Sequence, residues 1–287
     1  MVGAEAAAEP DLARPRSFTY TARVSSFRVK RAFSAGILAL STILALSSSG
    51  CMDRVTEHRV RGNAHFREGD YEGAIKEYDE GLAVKPADAA TLILRGNAQY
   101  ELGRLDDAYA SYAKAYAADN SAADAVRGMA LIASKKNDLG DAATQFERLL
   151  AMPKHEHDSS TRVNLAKIYL AQGKLPEAEK AAVEAGHESG NDETVLFTLG
   201  RVYLAAGKLD EATSTFSHLV ETNPGKASGP YGLAMVAAKR GDKPQALKQL
   251  QDAMAKGIPD VAAIAKEPAF ASLKDDPDFL AIATPKK

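Results

Sequence analysis

The chain has 287 residues, of which 45% are apolar and 26% are charged, and its formal net charge at pH 7 is -2. The apolar share excludes a disordered polar chain, and 36 cations against 38 acids exclude the overall positive field that nucleic-acid binding needs. With one cysteine, the chain can form neither an internal disulfide nor a multi-cysteine metal site. Alanine occurs 54 times and tryptophan is absent, which predicts an interior of small residues that lets helices approach closely.

The N-terminal 50 residues have the order of a secretory signal. Six cations lie between residues 14 and 31, and an uncharged apolar run follows at residues 32–46. This run is shorter than a membrane-spanning helix and has the length of the apolar region of a signal peptide. Four small residues, 47–50, then lead directly into Cys51.

This order of basic, apolar and small residues before a cysteine resembles bacterial lipoprotein signals. The resemblance implies a signal peptide over residues 1–50, cleavage after Gly50, and a diacylglycerol on the sulfur of Cys51, so that residues 51–54 form a lipidated N-terminus. Residues 1–28 precede the compact signal, and we interpret them as a misassigned start or a disordered extension. A signal anchor and an organellar transit peptide are the alternatives.

The chain beyond Cys51 repeats itself. The segments GDYEGAIKEY (69–78), GRLDDAYASY (103–112) and GKLDEATSTF (207–216) are variants of one phrase. Aligning the whole chain on the central alanine gives steps of 34, 34, 36, 34 and 34 residues between Ala74, Ala108, Ala142, Ala178, Ala212 and Ala246. A small residue always stands twelve positions before the alanine, and glycine or asparagine stands five positions before it. This pattern predicts helical hairpins with close crossings, in which a left-handed residue ends the first helix.

The repeated columns resemble the tetratricopeptide repeat family, whose Leu and Tyr positions are held here by Leu165, Leu199, Tyr169 and Tyr203, among others. The resemblance implies an all-α, right-handed superhelix (α-solenoid) of six helical hairpins with a C-terminal capping helical segment. The predicted repeats cover residues 55–260, and residues 261–287 form the cap and tail. The repeat bounds are 55–88, 89–122, 123–156, 159–192, 193–226 and 227–260.

The sequence contains no arrangement of residues typical of an active site. It lacks G-x-S-x-G, the Walker loop and H-E-x-x-H, and its six histidines join no motif. We therefore predict a protein that is not an enzyme, with no catalytic residues, no cofactor and no small-molecule substrate. His155 and His157 lie two residues apart on a predicted loop, so metal binding there stays an open alternative.

The family resemblance places a peptide-binding groove on the concave face of the superhelix, along one side of each first helix. That face carries two acids, Glu101 and Asp124, against seven cations: Arg59, Arg67, Arg127, Lys135, Lys167, Arg201 and Lys239. From Cys51 onward the chain has 30 cations and 35 acids, so the remaining surface must be acidic. The predicted groove residues are Arg59, Asn63, Phe66, Asn97, Tyr100, Arg127, Leu131, Lys167, Phe197, Arg201 and Tyr231.

These observations predict a membrane-anchored scaffold or assembly factor in the bacterial envelope. We expect it to face the periplasm from the outer membrane and to bind an acidic protein segment, extended or helical, that carries apolar anchors. Three alternatives remain at this point: a pilotin-like lipoprotein for type IV pilus secretin assembly, a docking subunit for a cell-wall or other envelope enzyme, and a soluble cytoplasmic adaptor. The sequence leaves open the partner's identity, the choice between inner and outer membrane, the start codon and the oligomeric state.

Overall fold

A computed structural model describes residues 53–258 and 261–284, and the predicted signal peptide and Cys51 lie outside the described residues. All regular secondary structure in the described part is helical. Odd-numbered helices up to α11 are the first helices of six hairpins: α1 (Arg54–Arg67), α3 (Ala89–Glu101), α5 (Ala123–Lys135), α7 (Ser159–Ala171), α9 (Glu193–Ala205) and α11 (Ser228–Arg240). The second helices are α2 (Tyr71–Val84), α4 (Leu105–Ala118), α6 (Leu139–Leu150), α8 (Leu175–Glu188), α10 (Leu209–Thr222) and α12 (Lys243–Ala255).

Residues with positive φ and capping aspartates mark the helix ends. The residue with positive φ inside each hairpin turn is Gly69, Gly103, Asn137, Gly173, Gly207 or Gly241, which confirms the predicted left-handed caps. Aspartates then cap helix N-termini, both inside the hairpins and between them. Asp70, for example, accepts a hydrogen bond from the Gly73 amide at 2.9 Å, and Asp88 accepts one from the Thr91 amide at 3.1 Å.

The repeated alanines lie at the helix crossings. Each of the six central alanines is at most 1% exposed, which confirms their predicted position. Four residues further along the second helix, four of the six hairpins have a buried aromatic ring, such as Phe216 in the fifth hairpin. A Cβ atom added to Gly200 would lie 2.5 Å from that ring, and one added to Gly232 of the next hairpin would be closer still. The ring of Phe216 is therefore held between two helices that must lack side chains at these points.

Contacts between helices define the curvature of the stack. Successive first helices touch one another, as α1 touches α3, α3 touches α5, α7 touches α9 and α9 touches α11. Successive second helices show no comparable contact within residues 53–258 and 261–284. The stack therefore curves with the first helices on its inner, concave side.

The fourth hairpin is packed differently from the others. Ala182 stands where the other hairpins have an aromatic residue or leucine. It belongs to a cluster of mostly small buried residues: Ala166, Ala178, Ala181, Ala182 and Val202. Because no large side chain separates them, α7 and α9 pack together more extensively than any other described pair of successive first helices.

A short C-terminal segment covers the sixth hairpin. It consists of α13 (Val261–Ile264), a 3-10 helix (Pro268–Leu273) and α14 (Pro277–Ala283). Ile264, Phe270 and Phe279 from this segment are each at most 1% exposed and belong to the same core as Leu250 of α12. The predicted fold, a solenoid of six helical hairpins closed by a helical cap, is confirmed. No helix in the described ranges is both long enough and apolar enough to span a membrane.

Candidate peptide-binding groove

The predicted groove residues all stand on first helices, yet their side chains have different surroundings. Asn63 and Asn97 lie on α1 and α3, and the family resemblance predicts that they hold the backbone of a bound peptide. Each Oδ1 atom already accepts a hydrogen bond at 2.7 Å, from the hydroxyl of Tyr78 in one case and of Tyr112 in the other. Burial raises the pKa of Tyr78 to about 12, so its hydroxyl stays protonated and keeps donating at neutral pH. Each tyrosine hydroxyl uses one of the two lone pairs of its Oδ1 atom, so the Nδ2 donor and the second lone pair stay available to a partner.

Two of the groove arginines are bound to the next hairpin. Arg59 on α1 lies 3.3 Å from Asp88, the aspartate that caps α3. Arg127 on α5 lies 2.9 Å from Asp158, which caps α7, and also donates to the Thr161 hydroxyl at 3.3 Å. Burial by itself would raise the pKa of Asp158, but hydrogen bonds from Ser160, Arg127 and Thr161 together hold it well below its usual range. These two cations thus compensate capping carboxylates inside the protein.

The C-terminal part of the predicted groove is covered by the cap. Arg201 on α9 lies 3.5 Å from Glu267, which directly precedes the 3-10 helix. Phe197 stacks on Tyr231 with ring centroids 6.4 Å apart, and Tyr231 lies 5.9 Å from the ring of Phe270. Arg201 and Tyr231 therefore contact the chain's own cap segment, and Phe197 packs on Tyr231. The sequence did not predict this covering of the groove.

The N-terminal part of the groove retains accessible aromatic and cationic groups. Phe66 is half-buried and makes an edge-on contact with Tyr71, at 5.1 Å between ring centroids. Tyr100 is half-buried, and the Nζ atom of exposed Lys135 lies 5.0 Å from the centre of its ring. Leu131 is half-buried on α5.

Two half-buried polar residues of the fourth hairpin also lie on the inner face. Lys167, a predicted groove residue, stands on α7 three residues after Asn164. The side-chain amide of Asn164 makes no hydrogen bond within residues 53–258 and 261–284, so it is free to bind a partner. Asn164 is not among the groove residues predicted from the sequence.

Metal binding at His155 and His157 has no support in the geometry. His155 Nδ1 lies 4.0 Å from Asp158, whereas His157 Nδ1 lies 3.3 Å from Glu188 of α8. In the part of the chain that the structure describes, no three histidine, cysteine or carboxylate side chains converge as a metal site would need.

Comparisons of the sequence with family models agree with this architecture. A model described as TPR repeat matches residues 62–103, and one described as tetratricopeptide repeat matches residues 127–192 and 197–263. The chain belongs to the tetratricopeptide repeat (TPR) family. A search of curated protein sequences gives no significant match.

Solved TPR structures resemble this chain over most of their own length. A TPR protein from Parabacteroides merdae is 15% identical, with a TM-score of 0.68 over 80% of this chain and 90% of that one. YrrB, described as a TPR protein with an unusual peptide-binding site, is 25% identical, with a TM-score of 0.53 over 63% of this chain and 92% of its own. PilW, described as a widely conserved type IV pilus biogenesis factor, is 16% identical, with a TM-score of 0.59 over 76% and 97%. At these low identities, the Parabacteroides protein and PilW support the fold alone.

The TPR helices also separate charge between the two faces of the stack. The six first helices contain 12 cations and four acids, whereas the six second helices contain six cations and 16 acids. The inner helices are thus positively charged and the outer helices negatively charged, as expected from the sequence. The pairing of Arg59, Arg127 and Arg201 nevertheless reduces the number of inner cations that a partner could meet.

Proposed function

We propose that this TPR protein is a non-catalytic scaffold that binds an acidic protein segment with apolar anchors along its inner face. The observation that carries the proposal is the combination of net positive first helices with accessible apolar groups at Phe66, Tyr100 and Leu131. Apolar anchors would supply most of the affinity, while the cations steer and orient the ligand. The peptide-binding site named for YrrB is consistent with such a role for this fold.

A matched pair of tyrosines on opposite faces of the second hairpin tests the proposal. Tyr100 on α3 and Tyr116 on α4 are both half-buried, and each has a cation over its ring, Lys135 at 5.0 Å and Arg148 at 5.2 Å. Each tyrosine is replaced in turn by the photocrosslinking residue p-benzoylphenylalanine, and adducts formed in cells are identified by mass spectrometry. We expect one defined protein to be captured from position 100 and not from position 116. Capture of a defined partner from position 116 alone would place binding on the outer face and refute the proposal.

We further propose that the protein is anchored by lipid at Cys51 in the bacterial envelope, facing the periplasm from the outer membrane. The order of basic, apolar and small residues before this single cysteine supports the proposal. Because α1 begins at Arg54, such an anchor would hold the first hairpin close to the membrane. Wild-type protein should incorporate an alkyne-labelled fatty acid and fractionate with membranes, and Cys51→Ser should do neither. Soluble, unlabelled wild-type protein would contradict the anchor while leaving the groove proposal untouched.

A pilotin-like role in secretin assembly is a second candidate within the same class. It is supported by six TPR hairpins that follow the cysteine proposed above to be acylated, and PilW shares the fold. Affinity purification with the crosslinked partner distinguishes the roles: a secretin supports the pilotin-like function, and an envelope enzyme supports a docking subunit.

A further inference from the structure

Five of the seven cations predicted on the concave face fall into two groups with different surroundings. Arg59, Arg127 and Arg201 each lie within 3.5 Å of a carboxylate of their own chain. Arg67 and Lys135 are exposed in the last turn of α1 and α5, and neither has a carboxylate partner within the described ranges. The two groups also lie at different edges of the inner face, since Arg59 and Arg127 point to the N-terminal ends of the next first helices.

The paired arginines have little charge left for a ligand. Asp88 and Asp158 are largely screened from solvent and accept hydrogen bonds from the helix amides that they cap. Taking Arg127 away from Asp158 would leave a part-buried carboxylate without its cation, which opposes any exchange of partners. We infer that Arg59 and Arg127 join neighbouring hairpins and do not bind the ligand.

The exposed cations lie beside apolar groups. Arg67 directly follows Phe66, and Lys135 sits over the ring of Tyr100, where it bridges α5 and α3. The partial negative charge at each helix C-terminus is about half an elementary charge, so it offsets only part of each cation. Lys135 and Tyr100 therefore offer a carboxylate a charge and an adjoining side chain an aromatic surface. Arg67 stands one residue from Phe66 along α1.

We propose, building on the groove function above, that Arg67 and Lys135 are the residues that bind the partner's carboxylates. Neighbouring packed helices are about 10 Å apart, so these two residues on α1 and α5 are separated by about 20 Å. An extended chain advances about 3.3 Å per residue, so the carboxylates should stand about six residues apart with apolar side chains between them. Glu101, exposed at the end of α3 between the two sites, disfavours a third carboxylate there.

A defined peptide tests this assignment on the full-length protein. The probe is a nine-residue peptide with blocked ends, with glutamate at the second and eighth positions and alternating leucine and serine between them. Its affinity is measured by titration calorimetry at several salt concentrations, beside a peptide with glutamine in place of both glutamates. We expect the acidic peptide to bind more tightly and its affinity to fall with salt.

Two substitutions on the same helix provide the matched comparison. Lys135→Gln and Arg127→Gln each remove one positive charge from α5. We expect only Lys135→Gln to lower the affinity for the acidic peptide, by about threefold, which is the effect of losing one exposed ion pair. Arg67→Gln should have the same effect, and Glu101→Gln should strengthen binding by a similar factor. A gain of affinity cannot arise from a folding defect, so this variant separates recognition from stability.

The possible results separate the two proposals. If neither peptide binds, the groove function fails and the assignment falls with it. If the acidic peptide binds, but a folded Arg127→Gln variant loses affinity while Lys135→Gln and Glu101→Gln leave it unchanged, only the assignment of the carboxylate-binding residues is overturned.

Discussion

Replacing Gly200 with alanine should destabilise the solenoid, although alanine favours helix. The new Cβ would lie 2.5 Å from Cε1 and 2.6 Å from Cζ of Phe216, whereas carbon atoms pack at about 3.5 to 4.0 Å. The ring must therefore move by about 1 Å. It cannot do so freely, because Gly232 of the next hairpin approaches it at least as closely.

The size of the effect follows from two opposing contributions. Overpacking a buried site costs about 1 to 3 kcal/mol, and this contact belongs at the upper end because the obstacle is a confined aromatic ring. The helix propensity of alanine returns about 1 kcal/mol, so we expect a net loss of about 2 kcal/mol. For a chain of this size, that loss lowers the melting temperature by about 4 to 8 °C.

Gly186 provides the matched control, because it also lies within a helix but has space beside it. A Cβ there would be 3.8 Å from Cδ2 of Leu199, which is ordinary van der Waals contact. Gly186→Ala should therefore raise the free energy of unfolding by up to about 1 kcal/mol. Thermal unfolding followed by circular dichroism compares the two variants. If Gly200→Ala is as stable as Gly186→Ala, the ring is not confined as argued here.

Two further perturbations test the connection between hairpins and the cap. The pKa of Asp158 is lower in the folded protein than its ordinary value of 3.8, so the stabilising effect of this carboxylate is complete above pH 3.8 and is lost as the pH falls below it. Asp158→Asn should therefore be less stable than wild type at pH 7. A difference in unfolding free energy between the two proteins that does not shrink below about pH 4 would contradict the ion pair. Phe270→Ala removes a ring that is 1% exposed, and it should lower the free energy of unfolding, measured by chemical denaturation, by about 3 to 5 kcal/mol. It should also expose Tyr231 and speed hydrogen exchange in α11. Unchanged exchange there would show that the cap does not protect this end of the groove.

Much of the fold could be predicted because its determinants are local and repeat. The 34-residue alanine period, the small residue before each turn and the glycine or asparagine in the turn all concern neighbouring helices of one hairpin. Each repeat encodes the same contacts, so six weak signals in register become a strong one. The excess of positive charge on the first helices could be predicted equally well, because a charge belongs to the inner or the outer face according to the helix on which it stands.

Which groove residues are available to a ligand was decided only by the tertiary structure. Arg59 meets Asp88 and Arg127 meets Asp158 across 29 and 31 residues of sequence, while Glu267 reaches Arg201 across 66. Arg59 and Arg127 share one repeat column, and Asp88 and Asp158 share another. The alignment alone does not show that these two columns meet, because that depends on where one hairpin's first helix meets the next hairpin's capping aspartate. The third pair depends on how a non-repeating cap folds back. The sequence by itself determined a curved stack with a positively charged inner face. The packing of its hairpins determined which of those charges are already neutralised, because the effective charge of a side chain depends on the distance to its nearest carboxylate.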